Sequence, residues 1–224
     1  NQFINILHNI ILPRLRHSSF SNIMSSARLA IIIINSLKFD SNRRIEVYDK
    51  ISNSIPLLLN KKEEFDFIIL SFILRYIKEF SFKTLSHSYF YCLQEDSLNI
   101  RFLKLEIIQN LEKYESIENL IYEITSYFNS SQIEFSLKAI DTLFNIIEKM
   151  FDVKYLTIII KESLLIINKI TEKDSIFIGS SFLYNLSQLL NKLSLGKIKN
   201  GNMSFIKIMN EEILEVFNLF YIKN

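Results

Sequence analysis

Apolar residues recur at three-and-four spacing through most of the chain, the signature of amphipathic helices. Ile23, Ala27, Ala30, Ile31 and Ile34 share one helical face. Phe65, Ile68, Ile69, Phe72, Tyr76 and Phe80 form a second stripe, and Leu98, Phe102, Leu105 and Ile108 a third. Ile117, Leu120, Ile121, Ile124 and Phe128 continue the pattern, followed by Ile133, Leu137, Ile140, Phe144 and Ile147. Three more stripes complete it: Leu156, Ile159, Ile160, Ile167 and Ile170; then Ile178, Phe182, Leu186 and Leu189; then Phe205, Ile208, Met209, Ile213, Val216, Phe217 and Phe220. No segment alternates convincingly as a strand does, so the chain reads as all-α.

Polar and conformationally special residues mark the boundaries. Residues 2–16 read as helical, with Pro13 interrupting near the end. Ser41-Asn42 reads as a break, a helix follows from Arg43, and Pro56 kinks or restarts it. Residues 84–92 predict a short helix at best. Ser131 with Glu134 three residues on is a capping-box signature. Gly196 and Gly201, among Lys and Asn, make 195–203 a loop. Between Phe102 and Met150, three helices follow one another with almost no loop. No single pair there can close a core, so each must lean on the next. Two helices recur about every 40 residues, the HEAT or armadillo period. The expected architecture is one α-solenoid segment over 1–224, of about ten helices.

Composition narrows the function classes. Only three Gly and two Pro are present, too few for a sandwich, a barrel or a Gly-rich nucleotide loop. A net charge of +2 gives no overall pull toward nucleic acid. Cys92 is the one cysteine, so no internal disulfide forms and a reducing compartment is expected. The first residue is Asn, and no charged-then-apolar leader follows, so no signal peptide is expected. The apolar run Leu29–Ile34 falls far short of the about 20 residues that span a bilayer.

Catalytic chemistry is missing. His8, His17 and His87 are scattered, and no Cys-x-x-Cys or His-x-x-x-His spacing offers a metal site. His87 with Cys92 lacks the orienting acid and oxyanion loop of a nucleophile pair; a half-buried His and a buried Cys explain them better. Glu63-Glu64 and Glu211-Glu212 are adjacent acids at helix starts, where the helix dipole accounts for them. No catalytic, cofactor-binding or metal residue is assigned, and the chain is not expected to be an enzyme. The seven arginines all lie within the first 101 residues, and Arg14, Arg16, Arg43 and Arg44 sit at predicted helix ends. Two readings stay open for them. They converge on one solenoid edge as a basic patch for an acidic partner or lipid headgroup, or they form an ordinary solvated edge that satisfies helix carbonyls.

Leu103-Lys104-Leu105-Glu106-Ile107, following Phe90-Tyr91 and the acidic Glu95-Asp96 turn, resembles the large β subunits of the clathrin-adaptor and coatomer family. The helices over 117–127 and 135–147 fit the same trunk. So do Pro13-Arg14-Leu15-x-His17 with Ser25-Ser26-Ala27, and Ile55-Pro56-Leu57. The likeness covers about Ile11 to Ile170 and rests on the order of its motifs. The Lys-Leu-Glu-Ile helix is similar to adaptor complex three, the Pro-Arg-Leu-x-His opening to complexes one and two. The family usually has one more helix between the segments at 141–150 and 155–170, and its trunk is much longer, so the chain is expected to be a fragment or a shortened form. The resemblance implies a scaffold subunit of a vesicle-coat adaptor in intracellular protein transport. It implies a second large, a medium and a small subunit as partners. Recruitment would be by an Arf-type GTPase or anionic phospholipid. The place implied is the cytoplasmic face of Golgi, endosomal or plasma-membrane coated vesicles, peripheral and not transmembrane. The competing reading is a generic HEAT or armadillo binding scaffold of nuclear-transport or phosphatase type. The absence of Trp counts against the nuclear-signal version.

Overall fold

The computed structural model describes residues 2–37, 39–79, 86–111, 116–150, 153–167 and 172–194. The predicted loop at 195–203, the predicted helix from Phe205 to Phe220, Glu211-Glu212 and Phe80 lie outside them, as does the side chain of Ile167 and all of Ile170. Every regular element among the described residues is helical, as the spacing predicts. The chain divides into two compact units, Asn1–Glu115 and Ser116–Asn224.

The first unit opens with α1 (Gln2–Ile6), which widens into a π turn (Leu7–Ile11) and tightens into a 3₁₀ turn (Leu12–Arg16). The Leu12 N–H donates to the Leu7 carbonyl, five residues back. Pro13 sits in the first positions of the 3₁₀ turn, where its missing N–H costs least. α2 (Phe20–Ser36) buries Ile23, Ala27, Ala30, Ile31 and Ile34, the predicted face. α3 (Ser41–Ser54) corrects the expected break at Ser41-Asn42. Those two residues are the first of the helix, because Asp40 precedes them as cap, its carboxylate accepting the Arg43 N–H at 2.8 Å. Pro56 restarts the chain as a 3₁₀ turn, Pro56–Leu58.

α4 (Glu63–Arg75) carries Glu63, Glu64 and Asp66 in its first turn, where acids complement the dipole. Its buried face departs from the predicted stripe. Ile69 and Phe72 are buried, but Ile68 is exposed and Asp66, Leu70 and Ile73 are buried instead. A 3₁₀ turn (His87–Phe90) and α5 (Leu98–Asn110) complete the unit. Contacts run mainly between neighbours: α2 on α3 and on the 3₁₀ turn at Leu12–Arg16, α3 on both 3₁₀ turns that flank α2 and α4, and α4 on α5.

The second unit holds α6 (Ile117–Ser126) with a 3₁₀ extension (Tyr127–Asn129), then α7 (Ile133–Met150), α8 (Val153–Ile167) and α9 (Glu172–Ser194). Here α6 packs on α7 and also on α8, while α7 packs on α9. Contact between every second helix is what stacked helical pairs produce. Two polar bonds fix the direction of the stack. Asn185 Nδ2 donates to Asp141 Oδ1 at 2.9 Å, and Lys192 Nζ to Glu148 Oε2 at 2.6 Å. Both partners advance together along the chain, so α7 and α9 run parallel, as equivalent helices of successive repeats do. The fold class is therefore the expected one, all-α with HEAT/armadillo-like helical repeats. α7 begins at Ile133, and just before it the Gln132 N–H donates to Ser130 Oγ. It buries Ala139, Ile140, Leu143, Phe144, Ile146 and Ile147, an arc wider than the predicted stripe, because helices cover it from several sides.

Candidate functional site

The four arginines singled out from sequence are all exposed, but they fall at two places on the first unit. Arg14 and Arg16 lie in the last turn of the 3₁₀ segment Leu12–Arg16. Arg43 and Arg44 lie in the first turn of α3. Arg43 pairs loosely with Asp40 at 3.5 Å, both half in solvent, an arrangement worth little net energy. Arg44 donates to Asn35 Oδ1 at 3.1 Å. Beside it, burial pushes the Tyr48 phenol up from its usual range, and hydrogen bonds with Arg44 and Asn35 oppose the shift.

Arg16 lines an open groove of about 710 Å³, where the Leu12–Arg16 turn packs against α3. Arg14, Arg43 and Arg44 do not line it. The groove meets the C-terminal half of α3 through Lys50, about 10 Å along the helix from Arg43 at 1.5 Å per residue. Lys61, in the turn before α4, also lines it, with His8 and His17. Lys50 bonds Glu46 at 2.6 Å, and that bond holds the Glu46 carboxyl below its usual range. Among the described residues, Arg16 and Lys61 have no acidic partner. His17 Nδ1 accepts the Ser19 N–H at 3.0 Å, which leaves the neutral ring its proton on Nε2. The periodicity gave no hint of this groove, because Lys50 and Lys61 are remote from Arg16 in sequence.

A second cluster is internal. Lys104 on α5 is fully buried and clasped on several sides. Its ammonium donates to Asp96 Oδ2 at 2.7 Å, to Asn60 Oδ1 at 3.2 Å and to the Tyr91 carbonyl at 3.2 Å. Asp96 also accepts the Leu93 N–H at 2.7 Å. Asn60 holds a left-handed backbone, φ 62°, a conformation Asn tolerates. Its own N–H donates to Asp66 Oδ1 at 2.9 Å. Burial pushes the Asp66 carboxyl above its ordinary value, against the pull of the Asn60 bond and the Lys104 charge. The cluster ties the loop before α4 and the acidic turn before α5 to α5 itself.

His87 and Cys92, weighed above as a nucleophile pair, each meet a neighbour of another kind. His87 Nδ1 lies 3.0 Å from the Tyr91 hydroxyl, and Cys92 Sγ points to the Arg101 carbonyl at 3.8 Å. His87 is buried and Cys92 partly so. Among the described residues, no three His, Cys, Asp or Glu side chains cluster as metal ligands, and no helix is long and apolar enough to cross a membrane.

Comparison with known proteins adds a direction to this picture. The chain is similar to beta subunits of adaptor complexes. It is 25% identical over 143 residues to the AP-2 complex subunit beta of Saccharomyces cerevisiae, a stretch of 63% of this chain and 20% of the yeast protein. It is 26% identical over 132 residues to the AP-1 complex subunit beta of Dictyostelium discoideum, covering 58% of this chain and 14% of that one. The matched stretches thus take in a fifth or less of these relatives. No protein-family model matches the chain. The similarity agrees with the resemblance to large β subunits of adaptor complexes, and the relatives are, by name, subunits of complexes.

Proposed function

We propose that this chain is a non-catalytic scaffold, a segment of a coat-adaptor β-subunit trunk that serves intracellular protein transport. The observation that carries the reading is the similarity to two adaptor beta subunits over about three fifths of the chain. The parallel stacking of α7 on α9 supports it, because stacked repeats present long outer faces to partners. In this reading residues 1–224 form one continuous solenoid segment. Its partners are a second large subunit, a medium subunit and a small subunit. It is a peripheral component on the cytoplasmic face of Golgi, endosomal or plasma-membrane coated vesicles, recruited by an Arf-type GTPase or anionic phospholipid.

Affinity capture of the tagged chain from its source cell tests the assignment. Recovery of a second large helical-repeat subunit together with a small adaptor subunit supports it. Recovery of a phosphatase catalytic subunit or nuclear-transport cargo without adaptor subunits refutes it and favours the generic scaffold.

The arginines add a finer proposal. Arg14, Arg16, Arg43 and Arg44 help hold an acidic partner or anionic membrane, each basic residue near such a surface adding about 1 kcal/mol. Changing all four to Glu should cut co-sedimentation of the assembled complex with anionic liposomes and a GTP-loaded Arf-type protein. The loss should be greater at low than at moderate salt, with subunit assembly intact. Unchanged binding at both salts returns these arginines to a solvated role.

A further inference from the structure

We infer that the groove between the Leu12–Arg16 turn and the C-terminal half of α3 is a docking site for an acidic peptide segment with an apolar anchor. The inference does not rest on the adaptor reading; it comes from the groove's own walls.

The floor is apolar. Leu12, Leu15 and Leu58 are buried beneath it, and Leu57 stands in it with 60% of its surface in solvent. An aliphatic side chain that open, in a concave site, is area a ligand can cover. The rim is cationic. Arg16 and Lys61 have no acidic partner among the described residues, while Lys50 is paired with Glu46. His17 presents an Nε2–H, because its Nδ1 already accepts from Ser19 and lies 3.2 Å from Asn22 Nδ2. Among the described residues, no carboxylate lines the groove. The volume, about 710 Å³, falls within the range of ligand-sized clefts.

Charge complementarity and shape together select the occupant. A rim of one sign around a low-dielectric floor focuses potential on an anion. A flat anionic bilayer offers headgroup charge to the rim but no side chain to lie along a concave floor of leucines. An extended peptide can place a leucine on the floor and carboxylates at Arg16 and Lys61. The apolar contact would supply affinity; the charges would supply register and speed of association.

Fluorescence anisotropy with a labelled peptide of alternating glutamate and leucine tests this on the 224-residue chain. A glutamine-for-glutamate peptide and vesicles of phosphatidylserine are run alongside. The expected result is saturable binding of the acidic peptide, weakened by salt, with much weaker binding of the glutamine version. R16E/K61E should weaken it about tenfold or more. L57S should weaken it with the charges intact. K78E/K161E carries the same charge change on exposed residues elsewhere and should bind like the parent. Far-UV circular dichroism confirms that each variant is folded; all the changed side chains are exposed. Three results overturn the proposal: no saturable peptide binding, equal loss in R16E/K61E and K78E/K161E, or groove-dependent binding to phosphatidylserine vesicles without peptide binding.

Discussion

Replacing Lys104 by Met removes the one charge at the centre of the α4–α5 cluster while keeping the length of the side chain. In the folded chain Lys104 is fully buried and Asp96 is 8% exposed, so neither meets much solvent. The substitution removes the Lys104 donor from three acceptors: Asp96 Oδ2, Asn60 Oδ1 and the Tyr91 carbonyl. Asp96 keeps the Leu93 N–H, which satisfies part of the carboxylate but not its charge. Breaking a buried pair from one side costs about 3–5 kcal/mol, because the remaining charge is left uncompensated. Against a total stability of about 5–15 kcal/mol, that is a large fraction.

The assay is urea unfolding followed by far-UV circular dichroism, comparing Lys104→Met, Asp96→Asn and the double variant. Lys104→Met should lower the stability of the first unit by about 3 kcal/mol or more. In the double variant neither member of the Lys104–Asp96 pair is left charged without the other, so it should lose clearly less than the two single losses added, by about 1 kcal/mol or more. Losses that simply add, or a Lys104→Met cost below about 1 kcal/mol, would refute the reasoning. Either result would mean that water reaches the ammonium and that the cluster is not the lock described above.

Asp66→Asn keeps an acceptor for the Asn60 N–H and removes a carboxyl whose folded pKa is raised above 3.8. Ionisation of that buried group costs stability above its folded pKa, and the cost fades as pH falls toward the unfolded value. The variant should therefore be more stable than the parent at neutral pH, with the gain vanishing in acid; a neutral-pH loss that persists in acid contradicts this. Ile140→Asp or Phe144→Asp should abolish folding of the second unit, since an unpaired carboxylate in that core costs several kcal/mol, about 4 or more; a normal melting curve for either shows the face is not core. The Thr142 hydroxyl is buried on α7 with no hydrogen-bond partner among the described residues. Thr142→Val should leave stability unchanged or raise it by up to about 1 kcal/mol, and a thermal melt lowered by several degrees refutes that.

The apolar positions of α2, α6 and α9 were legible because each of those helices buries one face, and one face is what a three-and-four spacing encodes. Ile23 to Ile34 and Ile178 to Leu189 are buried as the spacing requires. α4 and α5 were read less well. On α5 the buried set is Ile100, Lys104, Leu105, Ile107 and Ile108, while Leu98 and Phe102 are only half-buried. A lysine occupies a core position there, so a search for apolar residues skips it. The usable signal was Lys104 standing four after Ile100 and three before Ile107, with Asp96 in the turn eight residues earlier to neutralise it. The groove was not legible in principle. Arg16, Lys50 and Lys61 belong to three elements, and periodicity says which face turns inward but not which outer faces meet.

The polar pairs carry architectural information that the apolar stripes do not. A stripe on α7 says only that the helix is buried, and it fits packing in either direction. Asp141 with Asn185 and Glu148 with Lys192 each span 44 residues, within the HEAT and armadillo period. Two such pairs at one constant offset force parallel helices in a fixed register, and a slip by one turn would break both. The first unit is tied differently, by one buried ammonium that gathers a loop, a turn and a helix. Both devices hold the elements by side chains that face inward or along the stack. The outward faces are left free to differ, as Leu57, Ile32 and Tyr184 do in standing open to solvent. A scaffold works through such faces. Its specificity is then expected to follow their charge and shape, as at the Arg16–Lys61 groove, while the inward pattern is kept for stacking.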